Sequence, residues 1–140
     1  MSAGDVNSKS LIIGRRLLDE VDWSDLQKIH LYTALAELKE VNTTGLVNEL
    51  RSRWPHLQIT LAEQRPTQEL PPDKFDLIIV PTLAFDKEGY RLGWGSGWYD
   101  KFLAAQPQAL KIGLCFANGF IENLPHEPHD ISLDKVITEL

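Results

Sequence analysis

Residues 75–81 read Phe75-Asp76-Leu77-Ile78-Ile79-Val80-Pro81. An unbroken aliphatic run, closed by a proline that cannot donate to a ladder, describes a strand buried on both faces of a parallel sheet. Working outward, Leu110 to Phe116 is a second such run, and Lys28-Ile29-His30-Leu31-Tyr32 and Leu57-Gln58-Ile59-Thr60-Leu61 alternate as strands do. Val136-Ile137 adds a short last strand. Between these runs, Leu46, Val47, Leu50 and Trp54 recur at helical spacing. Asn42 and Thr43 are good caps for that helix, and Pro55 stops it. Trp98 to Ala105 reads as a further helix. Leu11, Ile12, Arg15 to Leu18 and Val21 make a short amphipathic helix weakened by Gly14. Met1 to Asn7 are small and polar, so residues 1–10 are expected to be flexible. Glu63 to Lys74 reads as a loop. Strands alternating with helices predict an α/β fold: a three-layer α/β/α arrangement with a mostly parallel sheet, one domain over residues 1–140.

The 140 residues suit a domain of ordinary size, and 43% hydrophobic content is enough for a core. A formal net charge of -6 argues against a nucleic-acid surface, yet leaves room for a local cationic pocket. The single cysteine, Cys115, excludes a disulfide framework and reads as a core thiol in its apolar run. With no secretory segment and no stretch long enough for a bilayer, a cytoplasmic protein without a membrane partner is expected.

The chemistry concentrates in Arg91-Leu92-Gly93-Trp94-Gly95-Ser96-Gly97-Trp98-Tyr99-Asp100, which lies after a buried strand and opens a helix. Glycines let a backbone approach a ligand, and the amides of a helix start attract anions. Arg91 adds a planar fork of donors suited to phosphate. No Gly-Lys-Ser/Thr follows, so the segment is not a Walker A loop, and its spacing is not G-x-G-x-x-G. The spacing alone fits a tight strand-to-helix turn as well as a phosphate cradle. Trp94, Trp98 and Tyr99 tilt the balance, because aromatics beside phosphates can stack on a flat heterocycle. Asp100 suits the helix start, where a carboxylate is stabilised, or a magnesium site. His126 and His129 flank Pro128 without the ligand spacing of a zinc site.

The block from Asp76 to Leu103, with Ala84-Phe85-Asp86, Gly89, Arg91-Leu92-Gly93, Gly95, Gly97, Tyr99-Asp100 and Phe102-Leu103, resembles the 5-formyltetrahydrofolate cyclo-ligase family. Ile29-His30-Leu31-Tyr32 and Glu40-Val41-Asn42-Thr43 look like its early strand and acidic turn. Leu124-Pro125, His129-Asp130, Leu133-Asp134 and Val136-Ile137-Thr138-Glu139 look like its closing segment. The resemblance implies ATP- and Mg²⁺-dependent closure of 5-formyltetrahydrofolate to 5,10-methenyltetrahydrofolate, through phosphorylation of the formyl oxygen. By resemblance, Arg91, Gly93, Gly95, Ser96, Gly97, Trp98 and Tyr99 hold ATP. Glu40, Trp98 and Tyr99 hold the folate, Asp100 and Asp130 hold the metal, and Tyr99 and Arg91 act in catalysis.

The sequence also departs from that pattern. The family opens on a basic helix whose cations meet ATP, and here Lys9 is the one cation before Leu11. That helix is expected to be missing, its place covered by a second copy or a partner chain. Ser96, Gly119 and Asn42 stand where the family has a basic residue or glycine, a glutamine and an acidic residue. These differences keep two alternatives open: a homologue that binds folate or nucleotide without turnover, and a protein that needs a partner to complete the ATP site.

Overall fold

The computed structural model describes residues 1–34, 40–62, 69–93 and 97–140. Helix α1 (Ala3–Glu20) leads into β1 (Lys28–Leu31), then α2 (Thr44–Arg53) and β2 (Gln58–Leu61). The buried run forms β3 (Leu77–Pro81), followed by β4 (Ala84–Phe85), β5 (Arg91–Leu92), α3 (Trp98–Ala104), β6 (Leu110–Leu114) and β7 (Lys135–Ile137). The main sheet has the order β2-β1-β3-β6-β7, and all its pairs are parallel. Every residue of β3 is buried, as its aliphatic run requires.

Side-chain alternation divides the core in two. Leu77 and Ile79 of β3 join Ile29, Leu31, Ile112 and Leu114 under α1 and α2, which contribute Ile13, Leu17, Leu46, Val47 and Leu50. Ile78 and Val80 point the other way, to Phe102 and Leu103 of α3. The three-layer α/β/α arrangement follows from this split. Cys115 is buried, and burial lifts its thiol to about 12, so it is core rather than nucleophile.

The chain start differs from the expectation of flexible residues 1–10. Helix α1 begins at Ala3, because Ser2 and Asp5 form a reciprocal capping box. The helix runs through Gly14, which lies against Leu46 of α2. Lys9 and Arg16 tie α1 to the end of β7: Lys9 Nζ is 3.5 Å from Glu139 Oε2, and Arg16 donates to the Leu140 carbonyl. Lys135 adds an ion pair with Glu20 at 2.6 Å. At α2, Asn42 Oδ1 accepts from the Thr44 amide as a cap should, whereas the Thr43 hydroxyl donates to the Tyr32 carbonyl instead of capping.

A second unanticipated feature is the antiparallel hairpin β4–β5, which separates β3 from the glycine segment. Asp86 closes its turn by accepting from the Glu88 and Tyr90 amides, and its other oxygen accepts from the Leu124 amide. Opposite the hairpin, Gln106 fastens the entry to β3. Its Oε1 accepts from the Phe75 amide at 3.0 Å and its Nε2 donates to the Asp73 carbonyl at 2.8 Å. Gln106 is 3% exposed, so Gln106→Ala leaves the buried Phe75 amide without its partner. The expected cost is about 1–3 kcal/mol, read as a lower urea midpoint with an unchanged slope. No helix among the described residues is long and apolar enough to cross a membrane.

Candidate functional site

From β1 the chain crosses to β2 on one side, then returns past β1 to β3 on the other. The strand order therefore reverses between β1 and β3. In open parallel sheets the crevice beyond the carboxyl ends of two such strands is where ligands bind. The segments leaving β1 and β3, with the start of α3, supply the candidate residues.

Arg91 organises this crevice. It sits on β5, but its side chain turns back so that Nη2 donates to the Pro81 carbonyl at the end of β3, at 3.0 Å. Its Cζ lies 5.4 Å from the centroid of the Tyr99 ring, a cation–π contact. Gly93 makes this possible: a Cβ at that position would collide with Arg91 Nη2. Burial lowers the Arg91 pKa, and the negative charges of Asp100 and Glu40 favour its charged form. A guanidinium stays protonated under any such shift. Its Nε has no hydrogen-bond partner among the described residues.

Tyr99 stands on the first turn of α3, edge-on to Trp98 at 4.9 Å. Burial pushes its phenol well above the usual range, partly offset by Arg91, so it is a neutral donor at physiological pH. Its hydroxyl likewise lacks a partner among the described residues. Gly97 caps α3 with φ +74°, a left-handed conformation that suits glycine. Glu40 is 8% exposed and acts electrostatically on Arg91, Tyr99 and Tyr32. Its turn is bolted to β1, because the Tyr32 hydroxyl donates to the Val41 carbonyl at 2.7 Å.

Asp130 lies within electrostatic reach of Asp100. Asp100 is not the stabilised helix-start carboxylate expected from its position. Burial raises its pKa first, and the neighbouring Asp130 carboxylate raises it further. Asp130 Oδ2 accepts from the Glu127 amide at 2.8 Å, and Oδ1 lies 3.6 Å from His129 Nε2. Among the described residues no three His, Cys, Asp or Glu side chains are grouped so as to hold a metal ion. Two neighbouring carboxylates are a donor set that suits Mg²⁺, which takes one or two carboxylates together with phosphate and water oxygens.

Arg91, Tyr99, Glu40 and Asp100 interact electrostatically, with Gly93 against Arg91, Trp98 against Tyr99 and Asp130 acting on Asp100, while Gly95 and Ser96 lie outside the described residues. Sequence reasoning passed over Tyr32 as a support for the Glu40 turn, and His30 behind Trp98. His30 carried a signal, being an ionisable residue inside an apolar strand pattern.

The fold is that of a doubly wound α/β protein, with a half-buried arginine at the switch point where such sheets bind ligands. The sequence profile of the 5-formyltetrahydrofolate cyclo-ligase family matches residues 42–139, and the chain belongs to that family. It is 31% identical over 98 residues to the 5-formyltetrahydrofolate cyclo-ligase of Mycoplasma pneumoniae, covering 66% of this chain and 58% of that one. It is 34% identical over 104 residues to the Saccharomyces cerevisiae cyclo-ligase, covering 69% and 47%. The aligned stretch thus spans about half the length of these curated relatives. A solved 5,10-methenyltetrahydrofolate synthetase from Mycoplasma pneumoniae shares the fold with a TM-score of 0.82 at 21% identity, over 100% of this chain and 90% of that one.

Proposed function

We propose that this protein closes the ring of 5-formyltetrahydrofolate at the crevice between β1 and β3, consuming ATP to give 5,10-methenyltetrahydrofolate. The observation that carries the reading is Arg91, a half-buried guanidinium against the Tyr99 ring whose buried Nε has no hydrogen-bond partner among the described residues, in a chain of the cyclo-ligase family. Such a cation suits an anionic ligand.

In the proposed reaction the formyl oxygen attacks the γ-phosphorus and ADP leaves. N10 then attacks the activated formyl carbon. Phosphate departs with the formyl oxygen, and N10 loses its proton. Such phosphoryl transfer asks the protein for positioning and charge neutralisation more than for a nucleophile. Arg91 neutralises phosphate charge from a fixed position. Gly93 and Gly97 bring backbone close to the phosphates, a role that the family resemblance extends to Gly95 and Ser96, which lie outside the described residues. Trp98 and Tyr99, edge-on to each other, offer aromatic surface to the folate, and the neutral Tyr99 hydroxyl donates to the developing oxyanion. Glu40 accepts from the N–H groups of the folate ring. Asp100 and Asp130 would hold Mg²⁺, which supplies charge neutralisation to the phosphates.

Purified protein is expected to convert 5-formyltetrahydrofolate with ATP and Mg²⁺ into the methenyl product, followed by its near-ultraviolet absorbance. No ATP-dependent product, while a cyclo-ligase relative is active in parallel, overturns the reading. Gly93→Ala should push Arg91 from its seat and lower kcat/KM by roughly one to two orders of magnitude, since a misplaced positioning group costs that much. An unchanged kcat/KM would show that Arg91 needs no such room.

A further inference from the structure

His30 occupies a place that packing alone would give to an apolar ring. It is 1% exposed, in register with Thr60 of β2 and Ile78 of β3. Its neighbours Ile29 and Leu31 face the α1–α2 layer, so by alternation His30 faces α3. There its ring meets Phe102 at 4.7 Å, Phe75 at 5.2 Å and Trp98 at 6.2 Å. Among the described residues no titratable group faces it: β2 offers Thr60, β3 offers Ile78, the segment before β3 offers Phe75, and α3 offers Trp98 and Phe102. Its Nδ1 has no hydrogen-bond partner among these residues. An unpaired ring nitrogen in such a layer is a cost that the fold does not repay.

The contacts of His30 lead into the crevice. The imidazole lies tilted by 32° to the Trp98 ring, Trp98 is edge-on to Tyr99, and Tyr99 carries Arg91 on its face. We propose that His30 is a positioning residue of the ring-closing site: its compact imidazole seats Trp98 from behind and so sets the aromatic wall on which the folate ring lies. A six-membered ring at position 30 is bulkier and acts on Trp98 directly, and on Arg91 only through Tyr99. The inference rests on the proposed folate reaction for its kinetic arm only. Burial holds the imidazole near pKa 4, so it stays uncharged wherever the protein would be assayed.

The test is His30→Phe, made in the wild-type and Trp98→Phe backgrounds. In the kinetic arm, His30→Phe should raise the KM for 5-formyltetrahydrofolate about tenfold, within what a sub-ångström misplacement costs, and move the KM for ATP less than twofold. In the spectroscopic arm, His30→Phe should change the near-ultraviolet circular dichroism of the coupled Trp98–Tyr99 pair, and that change should vanish in the Trp98→Phe background. An unmoved folate KM, equal shifts in both KM values, or a dichroism change that survives Trp98→Phe overturns the proposal. If His30→Phe does not fold, His30→Leu is read in the same two arms. A wild type without turnover would overturn the folate reading, and the dichroism cycle would then decide only whether His30 positions Trp98.

Discussion

Arg91→Ala is expected to lower kcat/KM for ATP-dependent ring closure about a hundred- to a thousandfold, the usual effect of deleting one preorganised donor to developing charge. The guanidinium is held by two independent contacts, Nη2 to the Pro81 carbonyl at 3.0 Å and the Tyr99 face at 5.4 Å. Neither is available to a compact ammonium in the same way, so Arg91→Lys should recover only part of the loss. The far-ultraviolet dichroism of both variants should match the wild type, because Arg91 lies on a two-residue strand outside the main sheet. Steady-state kinetics with ATP and folate varied in turn measures the effect. Wild-type kcat/KM in Arg91→Ala would remove the arginine from the site.

The second large effect concerns acid. The His30 imidazole titrates near 6.5 when unfolded and is held to about 4 by burial in the fold. Between those values the unfolded chain binds a proton that the folded chain refuses. Stability from this residue is therefore fully present above about 6.5, drains away as the pH falls, and levels off near 4. The whole swing is about 3 kcal/mol. Asp100 works in the opposite direction in the acid range, because its folded pKa is raised. Urea unfolding of wild type and His30→Phe at intervals from pH 7 to pH 4 isolates the histidine as the difference between the two curves. That difference should grow in favour of the variant as the pH falls. Parallel curves would mean that the imidazole titrates normally in the fold.

The residues explain how far the sequence could be read. The run Leu77–Val80 announced a central strand because both of its faces are buried, and no polar alternation blurs it. The start of α1 was hidden because its signal is one pair, Ser2 and Asp5, in a stretch whose composition suggests disorder. The β4–β5 hairpin joins only Ala84 to Leu92 and Phe85 to Arg91, too short for any periodicity. At the site, glycine spacing and Arg91 were legible as a pocket for anions. The reason for Gly93 was not, since it depends on Arg91 folding back toward Pro81. Position suggested that Asp100 is stabilised by its helix, but α3 is only 7 residues long, and burial beside Asp130 prevails. A chain position shows an ionisable residue, whereas its pKa is set by neighbours brought from elsewhere in the chain.

The proposed path makes one atom traceable. If the formyl oxygen takes the γ-phosphoryl group and then leaves with it, ¹⁸O placed in the formyl group of 5-formyltetrahydrofolate must end in inorganic phosphate. Mass spectrometry of the phosphate after a single turnover with unlabelled ATP is expected to find one ¹⁸O for each methenyl product. Phosphate free of label, with the ¹⁸O recovered in water, would contradict ring closure by phosphoryl activation at the Arg91 crevice.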